Sequence, residues 1–183
     1  PAGRQRLVST NMPDMEMWTF GGQPAENGSQ GFNFGAPGER RSDRGTLWKP
    51  ISETGAEGVT VNATGDFRQH AMLLEGEDLP WVAASGLRGI TSLAVTAPAG
   101  TYTVKLYFAE PEKAGVGERV FDVSLQGKPV LRDLDVRLAA GGRNLALSRQ
   151  FENVAVENSL ELSFVAKKGE PVLCGLELIP KQP

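Results

Sequence analysis

The chain has 183 residues, 40% apolar and 22% charged, enough to bury one hydrophobic core as a single domain. A formal charge of −3 with the signs mixed excludes the basic footprint of a nucleic-acid binder or of a protein held on an anionic membrane. One cysteine, Cys174, and one histidine, His70, exclude an internal disulfide and the multi-ligand sets on which zinc sites are built.

Twenty-two glycines and twelve prolines among short apolar runs favour many strands and turns over helices. Residues 1–56 hold isolated aromatics (Trp18, Phe20, Phe32, Phe34, Trp48) without a clean period, and the charged cluster Arg40-Arg41-Ser42-Asp43-Arg44. Such a segment is too aromatic to be disordered and too irregular for a helix, and is read as an arm with a few short strands packed on the sheets. Residues 57–183 are read as the sandwich core. Val59, Val61 and Ala63 alternate with polar residues before a Gly65-Asp66 turn, and Phe67–Glu75 is expected as the next strand. After an irregular stretch containing Pro80-Trp81, strands are expected over 90–96, 101–109 and 118–126. In the second of these Tyr102, Val104, Leu106 and Phe108 share one face, and in the third Phe121, Val123 and Leu125 do so. A short strand at 128–131, one at 145–151, one at 160–164 and one at 172–178 complete the pattern. Eight to ten short strands without a convincing helix predict an all-β fold, a two-sheet antiparallel β-sandwich of jelly-roll type with an irregular N-terminal arm.

Three classes of function are weighed on these residues. For an enzyme, His70 has no nucleophile-elbow serine, since Ser85 lies in Ala84-Ser85-Gly86, and the acidic pairs Glu110/Glu112 and Asp133/Asp135 are of a kind any loop offers. Gly115-Val116-Gly117 precedes a strand rather than a helix, so it reads as a turn and not as a nucleotide loop. For a binding module, sandwich domains bind through loops at one end, where sugar sites combine a stacking aromatic with groups that hydrogen-bond hydroxyls. The candidates are Arg44, Trp48, Phe67, Arg68, His70, Tyr107, Glu110, Glu112 and Glu170, with Trp48, Phe67 or Tyr107 stacking and the arginines and glutamates hydrogen-bonding. Each has a structural alternative: Trp48 and Trp81 as packing residues, Tyr107 as exposed or touching the arm, the glutamates as solvated. The third class is a structural or protein-interaction domain. No catalytic residue, metal or cofactor is expected. Asn27-Gly28-Ser29 and Asn62-Ala63-Thr64 match the glycosylation sequon, which matters in a eukaryotic secretory setting.

The run Tyr102-Thr103-Val104-Lys105-Leu106-Tyr107-Phe108-Ala109-Glu110, followed by Arg119-Val120-Phe121-Asp122-Val123 and by Gln126-Gly127, resembles the signature of the malectin and malectin-like domains. Further similarity lies in Asp133–Val136, Leu160–Phe164 and Pro171–Leu178, and a looser one in Asn33-Phe34-Gly35 and Ser42-Asp43. The resemblance implies a non-catalytic β-sandwich lectin, an accessory domain of a larger secreted or membrane-anchored protein. It implies a carbohydrate partner, a neighbouring domain of that parent, no nucleic acid, no membrane insertion, and an extracellular or periplasmic location. The targeting segment is expected to be missing from a chain that opens at Pro1-Ala2-Gly3. The run 33–48 also resembles modules that follow β-propellers in environmental bacteria, which suggests a bacterial source. The sequence departs from the family's sugar site in three places. Pro111-Glu112-Lys113 stands where the family has an aromatic pair, Arg44 where it has a tyrosine, and Gly169-Glu170 where it has an acid. These departures point toward a charged sugar or a protein surface as the ligand.

Overall fold

A computed structural model of the protein describes residues 28–76 and 78–181. The chain runs through β1 (Gln30–Phe34), β2 (Arg40–Arg41), β3 (Leu47–Ile51), β4 (Val59–Asn62) and β5 (Gly65–Arg68). It continues through β6 (Glu75–Gly76), β7 (Ser85–Arg88), β8 (Ser92–Thr96), β9 (Gly100–Phe108), β10 (Val120–Leu125) and β11 (Lys128–Asp135). A single helix turn, α1 (Val136–Ala140), precedes β12 (Leu145–Val156), β13 (Ser159–Lys168), β14 (Val172–Leu173) and β15 (Gly175–Pro180). The larger sheet has the order β2-β3-β1-β15-β9-β12-β6, the facing one β11-β10-β13-β8-β4, and a small third sheet β14-β7-β5. The expected all-β sandwich is what the chain forms.

The core is built by the period-two residues of the two sheets. Leu106 and Phe108 on β9 and Leu176 and Leu178 on β15 are fully buried, as are Phe121 and Val123 on β10 and Leu160 on β13. Phe108 meets Phe121 at 6.1 Å, and Phe121 meets Phe164 at 6.4 Å, so a tilted aromatic stack ties the sheets together. The two-residue turn between β10 and β11 is Gln126-Gly127, with φ of 48° and 72°, the left-handed pair that a right-twisted hairpin requires.

Residues 30–51 fall within the segment read as an arm, and they supply β1, β2 and β3. β1 is an interior strand, parallel to β3 and antiparallel to β15. Trp18, Phe20 and Asn27, with the rest of residues 1–27, lie outside the described residues. Two expected strands, Phe67–Glu75 and 128–131, take bounds set by particular contacts. Phe67–Glu75 is not one strand: β5 ends at Arg68, and His70 Nδ1 accepts from the Met72 amide (3.4 Å) to cap a 3-10 turn over Ala71–Leu73. β11 continues past Leu131 because β10 takes up register shifts opposite it. It stops where Asp135 accepts from the Leu138 amide (3.0 Å) and starts α1, which Gly141 closes at φ 81°.

Candidate functional site

Five segments converge at the end of the sandwich where β9 finishes. Leaving the sheet at Phe108, the chain buries Glu110 (1% exposed) and turns at Pro111 to present Glu112 at the surface. Arg119, just before β10 and also buried, reaches back across this loop. Its Nε donates to Glu110 Oε2 at 2.7 Å, its second terminal nitrogen donates to Glu112 Oε2 at 3.0 Å, and its first to the Glu170 carbonyl. The Glu112 amide donates to Glu110 Oε1 at 3.0 Å, so Glu110 is held from both sides. A buried carboxylate persists only when so paired, and the pair therefore fixes the loop's shape. At the outer rim Arg88, from the end of β7, pairs with Glu112 Oε1 at 2.9 Å. Thr64 donates to Glu170 Oε1 at 3.2 Å. Arg88, Glu112 and Glu170 thus form a solvent-facing row laid over the buried Glu110–Arg119 pair. The Arg88 Nε is buried without an acceptor among the described residues.

A second polar group lies on the outer face of the larger sheet. Gly31 and Gly175 leave that face bare, and the Trp48 indole lies on it: a Cβ at Gly31 would stand 2.4 Å from Trp48 Cδ2. Tyr107 and Trp81 meet Trp48 edge-on at 5.3 Å and 5.7 Å, and the Arg40 guanidinium sits 4.1 Å from the centroid of Trp81. The 3-10 turn Pro80–Ala84 covers the group, with Val82 against Gly175. The Tyr107 hydroxyl donates to Asp78 Oδ2 at 2.9 Å, with Glu177 Oε2 at 3.3 Å, and Thr46 donates to Glu177 Oε1 at 2.7 Å. Lys105 (3.2 Å) and Arg44 (2.9 Å) complete the ion pairs of Asp78. Burial opposes ionisation of Asp78, yet hydrogen bonds from Tyr107 and Lys105, with the charges of Lys105 and Arg44, outweigh it and hold its carboxyl below the ordinary range. Burial first, then the two carboxylates, drives the Tyr107 phenol far above its ordinary value.

The nine residues singled out from sequence therefore fall into three places. Glu110, Glu112 and Glu170 meet at the loop end, whereas Arg44, Trp48 and Tyr107 meet on the outer face of the larger sheet. Phe67 is buried on β5 over Gly86, where a Cβ would lie 2.7 Å from its ring. Arg68 is exposed beside Asp66 at 3.6 Å, and His70 is exposed while capping its turn. The three aromatics expected to stack on a sugar are all buried, so none presents a ring face to solvent. Tyr107 was expected on a wet face or against the N-terminal segment, and it touches Trp48 of that segment. Arg88, Arg119, Thr64, Asp78 and Glu177 were not among the candidates from sequence. Arg119 stands first in Arg-Val-Phe-Asp-Val and Glu177 within Pro171–Leu178, both runs of the family resemblance, and Thr64 only in a sequon.

The family model described as "Malectin domain" matches residues 87–175, from the middle of β7 to the start of β15. A protein of Arabidopsis thaliana named "Probable LRR receptor-like serine/threonine-protein kinase" is 39% identical over 80 residues, which cover 38% of this chain and 8% of that protein. Among solved structures, a Bacteroides uniformis beta-glucuronidase superposes with a TM-score of 0.72 at 18% identity, over 84% of this chain and 18% of the other. The ANXUR2 extracellular domain of Arabidopsis thaliana superposes with a TM-score of 0.66 at 13% identity, over 84% of this chain and 48% of that one. At these identities the structures speak for the fold alone. The curated relatives are plant proteins, which leaves the expectation of a bacterial source unsupported. No described helix is long and apolar enough to cross a membrane.

Proposed function

We propose that this chain, matched by the malectin domain over residues 87–175, acts as a non-catalytic, carbohydrate-binding accessory domain of a larger extracytoplasmic protein. The ligand would sit on the row Arg88, Glu112 and Glu170. One observation carries this choice of place: the Arg88 Nε is buried without an acceptor, next to the half-exposed carboxylate of Glu112. An unsatisfied buried donor costs free energy that a ligand acceptor returns. Glu112 and the Glu170 carboxylate would accept from hydroxyls, as sugar sites require. With no exposed aromatic in the row, stacking contributes little, and a sugar bearing a carboxylate suits Arg88 better than a neutral glucan. Glu110 is held under Arg119, so it shapes the loop rather than serving as an acid or base.

A glycan array with uronate-containing and neutral oligosaccharides tests the reading. Binding to acidic glycans that the double variant Arg88→Ala/Glu112→Ala loses, while its thermal unfolding stays close to that of the parent, supports it. A parent protein that binds no glycan above background refutes it. That result would favour a protein-interaction domain, the reading suggested by the burial of Trp48, Phe67 and Tyr107.

A further inference from the structure

We infer that the open edge of β12 between Leu147 and Phe151 docks an extended, acidic segment of a partner protein, which adds a strand to the larger sheet. β12 pairs with β9 along its length, but on its other side, among the described residues, only Leu145 and Ala146 have a partner strand, the two-residue β6. Asp78 lies on the outer face of the sheet, where it meets Lys105 and Tyr107 of β9. The backbone groups of Leu147–Phe151 that point away from β9 are left without a strand among the described residues. Proteins commonly blunt such an edge with charged side chains, proline or a bulge. Here residues 147–151 contain no proline and a single charge, Arg149, which an acidic partner would neutralise. The bulge comes only later, between Phe151 and Val154, where Asn153 has φ 58°. A straight edge about five residues long therefore remains, enough for the main-chain ladder of a docked strand.

The side chains beside this edge define its occupant. A groove of about 270 Å³ opens at its start, floored by Ala139, Ala140, Leu145 and Leu147 and bordered by Gly76 and Arg149. Leu145, Leu147 and Arg149 lie at alternate positions and so share one face of the strand. An incoming strand with an aliphatic side chain would fill the groove, and its side chain two residues on would meet Arg149. The Arg149 guanidinium donates to the carbonyl of its neighbour Ser148 at 2.8 Å and pairs with no carboxylate among the described residues. Nearby Arg143 is exposed and likewise unpaired. In a chain of net negative charge these cations single out an acidic partner. Leu138 on α1 is exposed at the groove's margin and Met72 and Leu73 on the 3-10 turn before β6, which extends the apolar surface around it. None of these residues belongs to the loop-end row, so this site stands or falls separately from sugar binding.

The test is a selection of short random peptides displayed on phage against the immobilised protein, followed by amide hydrogen exchange with a synthetic copy of the enriched sequence. The expected outcome is enrichment of peptides that alternate aliphatic and acidic residues, with slowed exchange at residues 147–151. Arg149→Glu should weaken such a peptide about tenfold and should strengthen a copy whose acids are replaced by lysine. No enrichment, protection elsewhere, or an affinity indifferent to Arg149→Glu would overturn the inference. So would a concentration-dependent dimer of the protein that itself protects residues 147–151, since the edge would then serve a second copy of this chain.

Discussion

Replacing Arg119 by methionine should be among the most damaging single changes in the loop end, and its size follows from what it leaves behind. The methionine keeps most of the aliphatic stem but removes hydrogen bonds to both carboxylate oxygens of Glu110, to Glu112 and to the Glu170 carbonyl. Glu110 is 1% exposed, so its charge is stranded in the interior with only the Glu112 amide for company. Breaking a buried pair in this way costs about 3–5 kcal/mol, most of it the desolvated partner. With a urea slope of about 2 kcal/mol/M, the unfolding midpoint should fall by about 1.5–2.5 M, read from tryptophan fluorescence. The paired variant Arg119→Met/Glu110→Leu removes both charges and should recover more than half of that loss, because no ion remains to be compensated. A single variant that costs less than about 1 kcal/mol, or a double variant no better than the single, would refute the view that this pair shapes the loop.

Two further outcomes follow from the outer face of the larger sheet. Gly175→Ala places a Cβ 2.3 Å from Val82 Cγ1 and 3.1 Å from Trp48 Cζ3, both fully buried, so the covering 3-10 turn must move. Overpacking of this kind costs about 1–3 kcal/mol, a fall in Tm of about 3–10 °C by calorimetry, and an unchanged Tm would show that the turn is loosely held. Asp78→Asn tests the ion-pair hub by its pH dependence. The folded carboxyl titrates below its unfolded value, so its stabilisation is present above the ordinary carboxylate range and is lost as pH falls through the lower folded value. The stability gap between parent and variant should therefore be full at neutral pH and close in acid, as followed by urea unfolding across pH. A gap that widens in acid would contradict the sign.

The sandwich itself was legible because its strands announce themselves locally. In β9 and β10 the apolar positions repeat every two residues and the turn residues Gln126-Gly127 close the hairpin, so pattern and turn agree. Boundaries set by a single side-chain cap or by the register of a partner strand were not legible. The break after Arg68 depends on a His70 cap, and the extension of β11 depends on register shifts in its partner. The binding residues were harder still. Trp48, Phe67 and Tyr107 look like stacking aromatics in a sequence, and what buries them is distant in the chain: Gly31, Gly86 and Gly175, whose missing side chains open space for rings. Asp78 and Glu177 acquire meaning only beside the Tyr107 hydroxyl, and no spacing rule links residues 78, 107 and 177.

The interior position of β1 bears on how this protein is made. β15, paired with β1 on one side and β9 on the other, closes the sheet by joining residue 30 to residue 178. A nascent chain on the ribosome cannot complete this sheet until residues 175–180 have emerged. Until then β1 and β9 both present bare edges on strands rich in apolar residues. Synthesis that stalls within β13 or β14 would release a chain with two such edges, an aggregation-prone species that chaperones must hold.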